Sequence, residues 1–194
     1  MINQSENSKK ISTEKKWIKI IIVLFAVVLV ISIFFNLTAP EAPVQQNTWN
    51  SATPGFKLPR NVKDQLGDPI SVTQSEFGIQ NNYKSSYPAL PNSITVSEDE
   101  TVKFIQEYIV YDPEHTVDRY TRQFGDPDLV LYAPKYTNVT KAYVFLTEGL
   151  AIFAHQYAGT VEIKWYFEPT TEESFLTTYG KDLTQEEPTP EAFQ

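Results

Sequence analysis

A chain of 194 residues with 41% apolar residues and three tryptophans has enough material for a buried core, but room for only one or two small domains. Its net charge of −8 argues against nucleic acid as a partner, and the lack of cysteine excludes disulfides, thiolate metal sites, a cysteine nucleophile and a lipidated cysteine. The charge is unevenly spread: residues 38–194 carry 22 acidic and 11 basic side chains, a balance of −11, while residues 1–37 carry +3.

Residues 20–35 (IIIVLFAVVLVISIFF) are apolar apart from Ser32. Extended to Trp17 and Leu37 the run would rise roughly 31 Å as a helix, about one bilayer core. Lys9, Lys10, Lys15, Lys16 and Lys19 stand before or at its start, and the next cations are Lys57 and Arg60. The positive-inside bias then predicts a cytoplasmic tail over residues 1–16, a transmembrane helix over 17–37 lying in the lipid bilayer, and an extracytoplasmic remainder. A cleaved signal peptide is the alternative, but no A-x-A site follows, and Ala39 and Ala42 each precede proline, which favours an uncleaved signal-anchor. A disulfide-free exported domain points to a bacterial cell envelope.

Residues 38–55 are rich in Pro, Ala, Gln and Asn without periodicity and read as a linker, with Trp49 expected to dock on the folded part. The first α+β module, residues 56–111, opens with a helix over Lys57–Leu66 that Gly67 would end in a left-handed conformation. Short β-branched or aromatic runs at Ile70–Thr73, Asn82–Pro88, Ile94–Val96 and Val102–Tyr111 read as four strands. The second module, residues 112–183, opens with Asp112 as cap and Pro113 as first residue of a helix whose inner stripe is Val117, Tyr120 and Phe124. Strands follow at Leu129–Tyr132, Ala142–Thr147, Leu150–Tyr157 and Thr160–Glu168. Thr170 and Glu173 suit the capping box of a short C-terminal helix with Phe175, Leu176 and Tyr179 on one face, and residues 184–194 read as a disordered tail.

Leu66-Gly67-Asp68-Pro69 and Phe124-Gly125-Asp126-Pro127 stand 58 residues apart in matching contexts. The fold class expected is α+β: an N-terminal single transmembrane helix, two tandem helix-plus-antiparallel-β-meander repeats and a short C-terminal helix. Gly67, Asp68, Pro69 and Gly125, Asp126, Pro127 are structural turns, because Gly takes a positive φ, Pro stops the helix and Asp bonds nearby amides. The competing reading, two aspartates as an acid/base pair, needs them close in space.

Catalytic motifs are missing, the two histidines His115 and His155 make poor ligands at a spacing of 40, and no cofactor or metal is expected, so the chain reads as a non-enzyme. The candidate partner-binding surface is aromatic. Alternation puts Phe153, His155 and Tyr157 on one face of their strand, and Glu162, Lys164, Tyr166 and Glu168 outward on the next. If the outer faces coincide, Phe153, His155, Tyr157 and Tyr166 form an exposed patch; in the other arrangement, helices cover both faces of the sheet and hide it.

A helix ending in Leu-Gly-x-Pro, a meander with a glycine turn and a final aromatic strand at Val161–Phe167 together resemble the small lipoproteins of the bacterial barrel-assembly machinery (the BamE, or SmpA/OmlA, family). The doubled arrangement resembles the tandem module of β-lactamase inhibitory proteins. The resemblance covers residues 54–168 and implies a non-catalytic module that presents a sheet and loops to another protein. The expected function is therefore a membrane-anchored extracytoplasmic interaction module that scaffolds or stabilises a complex with an envelope protein. The alternative is a ligand-binding or sensor domain with a site between the two modules, lined by tyrosines such as Tyr132 and Tyr143.

Overall fold

Eight strands, each bounded by Gly, Pro, Asn or acidic turn residues, pair edge to edge in one antiparallel sheet of order β1-β2-β3-β4-β8-β7-β6-β5. The computed structural model describes residues 47–87, 89–137 and 139–188. In the first half of the sheet, β1 is Ser71–Ser75, β2 Gly78–Tyr83, β3 Asn92–Val96 and β4 Val102–Tyr108. In the second, β5 is Leu129–Tyr132, β6 Thr140–Phe145, β7 Leu150–His155 and β8 Val161–Phe167. Three short helices accompany them: α1 (Arg60–Leu66), α2 (Val117–Phe124) and α3 (Glu172–Thr178).

This corrects the expected fold class. The chain order still runs helix, four strands, helix, four strands, helix, but the strands do not close into two helix-plus-meander modules. β4 and β8 pair antiparallel, Ile105 opposite Tyr166 and Gln106 opposite Trp165, so the strands that would have been edges become the middle of a single sheet. The physical reason is that an unpaired edge leaves a row of backbone donors and acceptors open, and joining two such edges satisfies both.

The membrane placement is corrected as well. No helix among the described residues is long and apolar enough to cross a membrane, so the expected single-pass location, cytoplasmic N-terminus and signal-anchor find no helix in the structure to carry them. The tail at 1–16, the span at 17–37 with its bilayer contact, and residues 38–46 of the linker lie outside the described residues. Within the described part of the linker, Trp49 and Ala52 exchange backbone hydrogen bonds of 2.9 and 2.8 Å, and both residues are buried.

Side chains alternate so that the sheet carries an apolar core on each face, leaving the β1 edge exposed. On one, Ile94, Ile105, Ile152 and Tyr166 pack with Val62 of α1 and Tyr120 of α2. On the other, Val144, Phe153, Trp165 and Phe167 pack with Phe175 of α3. Helices of seven or eight residues are marginal in isolation, so the burial of Val62, Tyr120 and Phe175, worth about 1.5–3 kcal/mol for each large apolar side chain, holds them in place.

Two expected caps move. Asp112 does not start α2: its Oδ1 accepts from the Glu114 amide at 2.9 Å in a turn, and Thr116, bridged to Thr160, precedes the helix. At α3 the cap is Thr171, whose hydroxyl accepts from the Ser174 amide at 3.3 Å, because the Thr170 amide is already bonded to Leu146 O. Of the tail expected to be disordered, Thr184 exchanges backbone hydrogen bonds of 2.7 and 3.0 Å with Tyr132 at the end of the β5 edge, and residues 189–194 lie outside the described residues.

Candidate functional site

The predicted aromatic patch does not assemble. Phe153 is fully buried against Trp165, with ring centroids 4.4 Å apart, and against Tyr136 at 5.2 Å. Tyr166 is 2% exposed and faces the opposite side of the sheet, where its hydroxyl donates to Glu107 Oε2 at 2.5 Å. Only His155 and Tyr157 remain together, their rings 5.7 Å apart at the β7–β8 turn, where His155 Nδ1 accepts from the amides of Tyr157 and Ala158 at 3.3 Å. Tyr157 is 80% exposed. The reason is the one the alternative reading anticipated: helices pack on both faces, so both rows of β7 from Leu150 to Ala154 are dry.

Asp68 and Asp126 are exposed, each after its own helix, and Asp128 instead bonds an amide, accepting from Leu146 N at 2.6 Å. Gly67 and Gly125 have φ of +71° and +84° with ψ near −165° and −169°. That region, distinct from the left-handed helical conformation expected of Gly67, is essentially reserved for glycine. Tyr132 carries Lys141 Nζ 4.7 Å above its ring, and Tyr143 packs against the core under α1 and α2, so neither tyrosine lines a site at the seam.

What lies at the seam is a chain of polar groups. Glu107 on β4 takes the Tyr166 hydroxyl and the Lys164 ammonium, the latter at 3.3 Å, both from β8. Burial, then the Glu107 charge, pushes the Tyr166 phenol well above its usual pKa. Beyond them, the fully buried Tyr120 has its hydroxyl 3.2 Å from His115 Nδ1, and His115 Nε2 stands 3.8 Å from Asp112. Burial holds His115 below its usual value, with Lys164 and Arg119 adding to the shift and Asp112 and Glu107 opposing it. Each of these groups thus has a polar partner across or beside the junction. A wide cleft of about 780 Å³ opens beside it, with Trp49, Leu66, Glu107, Asp112 and His115 among its walls. Among the described residues no group of three His, Asp or Glu is placed to hold a metal.

A second cleft, of about 450 Å³, lies at the same junction against the other core. Four tyrosines line it: Tyr87 from the β2–β3 loop, Tyr108 and Tyr111 from the end of β4 and beyond, and Tyr136 from the β5–β6 loop. Its floor includes Val161 and Ile163 of β8. Tyr136 is held edge-on to Phe153, and Tyr108 is fixed through its amide, which donates to Asn92 Oδ1 at 2.7 Å. Burial raises the phenol pKa of both. Tyr87 and Tyr111 are 38% and 71% exposed and form the mouth with Leu90, at 44%. The sequence reading passed over these residues. The available signal was aromatic and aliphatic side chains in turn-rich segments such as SSYPALPNS, where no core needs them.

No protein-family model matches the chain, and no curated protein matches it. Among solved structures the chain is similar to a DUF4309 family protein, YjgB, from Bacillus subtilis, at 13% identity and a TM-score of 0.43 over 65% of this chain and 88% of that one. Neither the lipoprotein nor the inhibitor resemblance is touched by these comparisons.

Proposed function

We propose that this domain is a binding module without catalysis, and that its ligand site is the tyrosine-lined cleft where the first four strands meet the second four. The observation that carries the reading is the cleft itself: about 450 Å³, within the range typical of small-molecule sites, with ring and aliphatic walls set on the rigid centre of the sheet. The cleft straddles β4 and β8, the strands whose pairing joins the two halves of the sheet. A protein partner is the second reading, favoured by the exposed Tyr87, Leu90 and Tyr111 around the mouth, from which a partner's side chain could enter.

A ligand-detected NMR screen of a small-fragment collection against the full chain tests this. Hits are expected to lose binding with Tyr111→Ser or Leu90→Ser, both at exposed positions whose replacement leaves the core intact. Fragments that bind both variants as they bind the natural chain, or a screen without hits, would remove the cleft as a ligand site.

A further inference from the structure

The chemistry of the cleft walls specifies a charge for the ligand. We propose that the cleft binds a small organic cation bearing a methylated ammonium group, seated on the tyrosine faces and compensated by Glu162; this rests on the binding reading above and adds the ligand class to it.

The first argument concerns the rings that line the cleft. An aromatic ring carries negative potential on its faces, and clusters of such faces attract quaternary ammonium groups. Among the described residues, Tyr87, Tyr108 and Tyr111 make no ring-to-ring contact, while the edge-on contact of Tyr136 with Phe153 fixes one ring at the back of the cleft. The chain already shows the pairing once on its surface, where Lys141 Nζ sits 4.7 Å above the ring of Tyr132.

The second argument is the balance of full charges. Glu162 lines the cleft, is exposed, and has no ion pair among the described residues. Lys135 also lines the cleft, but its ammonium lies 2.9 Å from Asp182 Oδ2, which neutralises it. Lys135, Asp182 and Glu162 therefore sum to one negative charge, which repels an anion and leaves a neutral guest without electrostatic gain. A metal ion is excluded on different grounds, since burial keeps Tyr108 and Tyr136 protonated and one carboxylate makes no coordination sphere. A methylated ammonium is weakly hydrated for its charge and presents methyl groups to Val161 and Ile163 while keeping its positive field on the rings.

The test is a titration of the full chain by calorimetry and by amide chemical shift, with choline and with its uncharged isostere 3,3-dimethyl-1-butanol as probes. Choline is expected to bind about tenfold or more tightly than the isostere, Tyr111→Leu to weaken choline by a similar factor, and Glu162→Gln to weaken choline by a few-fold without affecting the isostere. Thermal melts of both variants, whose altered side chains are exposed, check that the fold is intact. Equal affinity for the two probes would overturn the cation and keep the cleft as a neutral-ligand site. Absence of choline binding, together with hits in the fragment screen that Tyr111→Ser abolishes, also overturns the cation alone. Absence of both overturns the binding reading with it.

Discussion

Replacing Phe153 with alanine separates a core residue from a surface anchor. The side chain is fully buried, 4.4 Å from Trp165 and 5.2 Å from Tyr136 between ring centroids. Its removal deletes the apolar burial of a phenyl ring, opens a cavity the surrounding rings cannot fill, and breaks two aromatic contacts, each worth about 0.5–1.5 kcal/mol beyond area. The expected cost is about 3–5 kcal/mol, which for a domain of this size lowers the melting temperature by roughly 6–20 °C. Tyr157→Ala, at an 80% exposed site four residues further along the chain, is the control and should stay within about 0.5 kcal/mol. Urea unfolding followed by tryptophan fluorescence measures both. A loss below about 1 kcal/mol for Phe153→Ala would mean that Phe153 lies outside the core, and the assignment of the sheet's faces would fall with it. The same result would restore the idea of an aromatic patch there.

Two further outcomes follow from the same structure. Gly149→Ala is expected to be severely destabilising, by about 3 kcal/mol or more, because φ is +61° and a Cβ would fall 2.1 Å from Phe167 O; Gly125→Ala, at φ +84° but in open space, should cost only about 1–2 kcal/mol. Urea midpoints of equal value for the two variants would refute the close approach at Gly149. Stability should also fall steeply above pH 10. Tyr83, Tyr108, Tyr120, Tyr136, Tyr166 and Tyr179 all have phenols raised above 10.0, chiefly by burial. Below that pH both states hold these protons and the contribution is complete. Above it the unfolded chain releases protons that the fold retains, so each tyrosine removes up to about 1.4 kcal/mol per pH unit until its folded pKa is reached. A urea midpoint unchanged between pH 9 and pH 11.5 would contradict the burial of these hydroxyls.

Local structure was legible in the residues because its causes are local. Alternation and turn residues located most of the strands, and the strand at Leu129–Tyr132 has the bounds expected of it, because Pro127 precedes it and Ala133-Pro134 follows; the strand expected at Asn82–Pro88 instead runs from Gly78 to Tyr83. The glycines after α1 and α2 do take positive φ, although with extended ψ. Errors appeared where two local signals competed. Asp112-Pro113 is a good helix start by composition, yet the Thr116–Thr160 bridge delays α2 to Val117. Tyr87 and Tyr111 fell within expected strands and Tyr136 within a loop, and none could be placed at a common cleft, since residues in loops converge only after the strands between them have paired.

The sequence by itself determined which stretches extend, where the chain turns, that no disulfide or thiolate site exists, and which residues share a side of each strand, because all of these depend on neighbours a few positions away. Tertiary structure alone decided that β4 pairs with β8, that both faces of the resulting sheet are covered, and that Phe153 and Tyr166 are buried on opposite sides of it. Period-two alternation names the two sides of a strand without saying which is dry. That choice is made by hydrogen bonds and packing between residues 59 positions apart, such as Gln106 with Trp165 and Glu107 with Tyr166. The tyrosine cleft at their junction exists only once that pairing has formed.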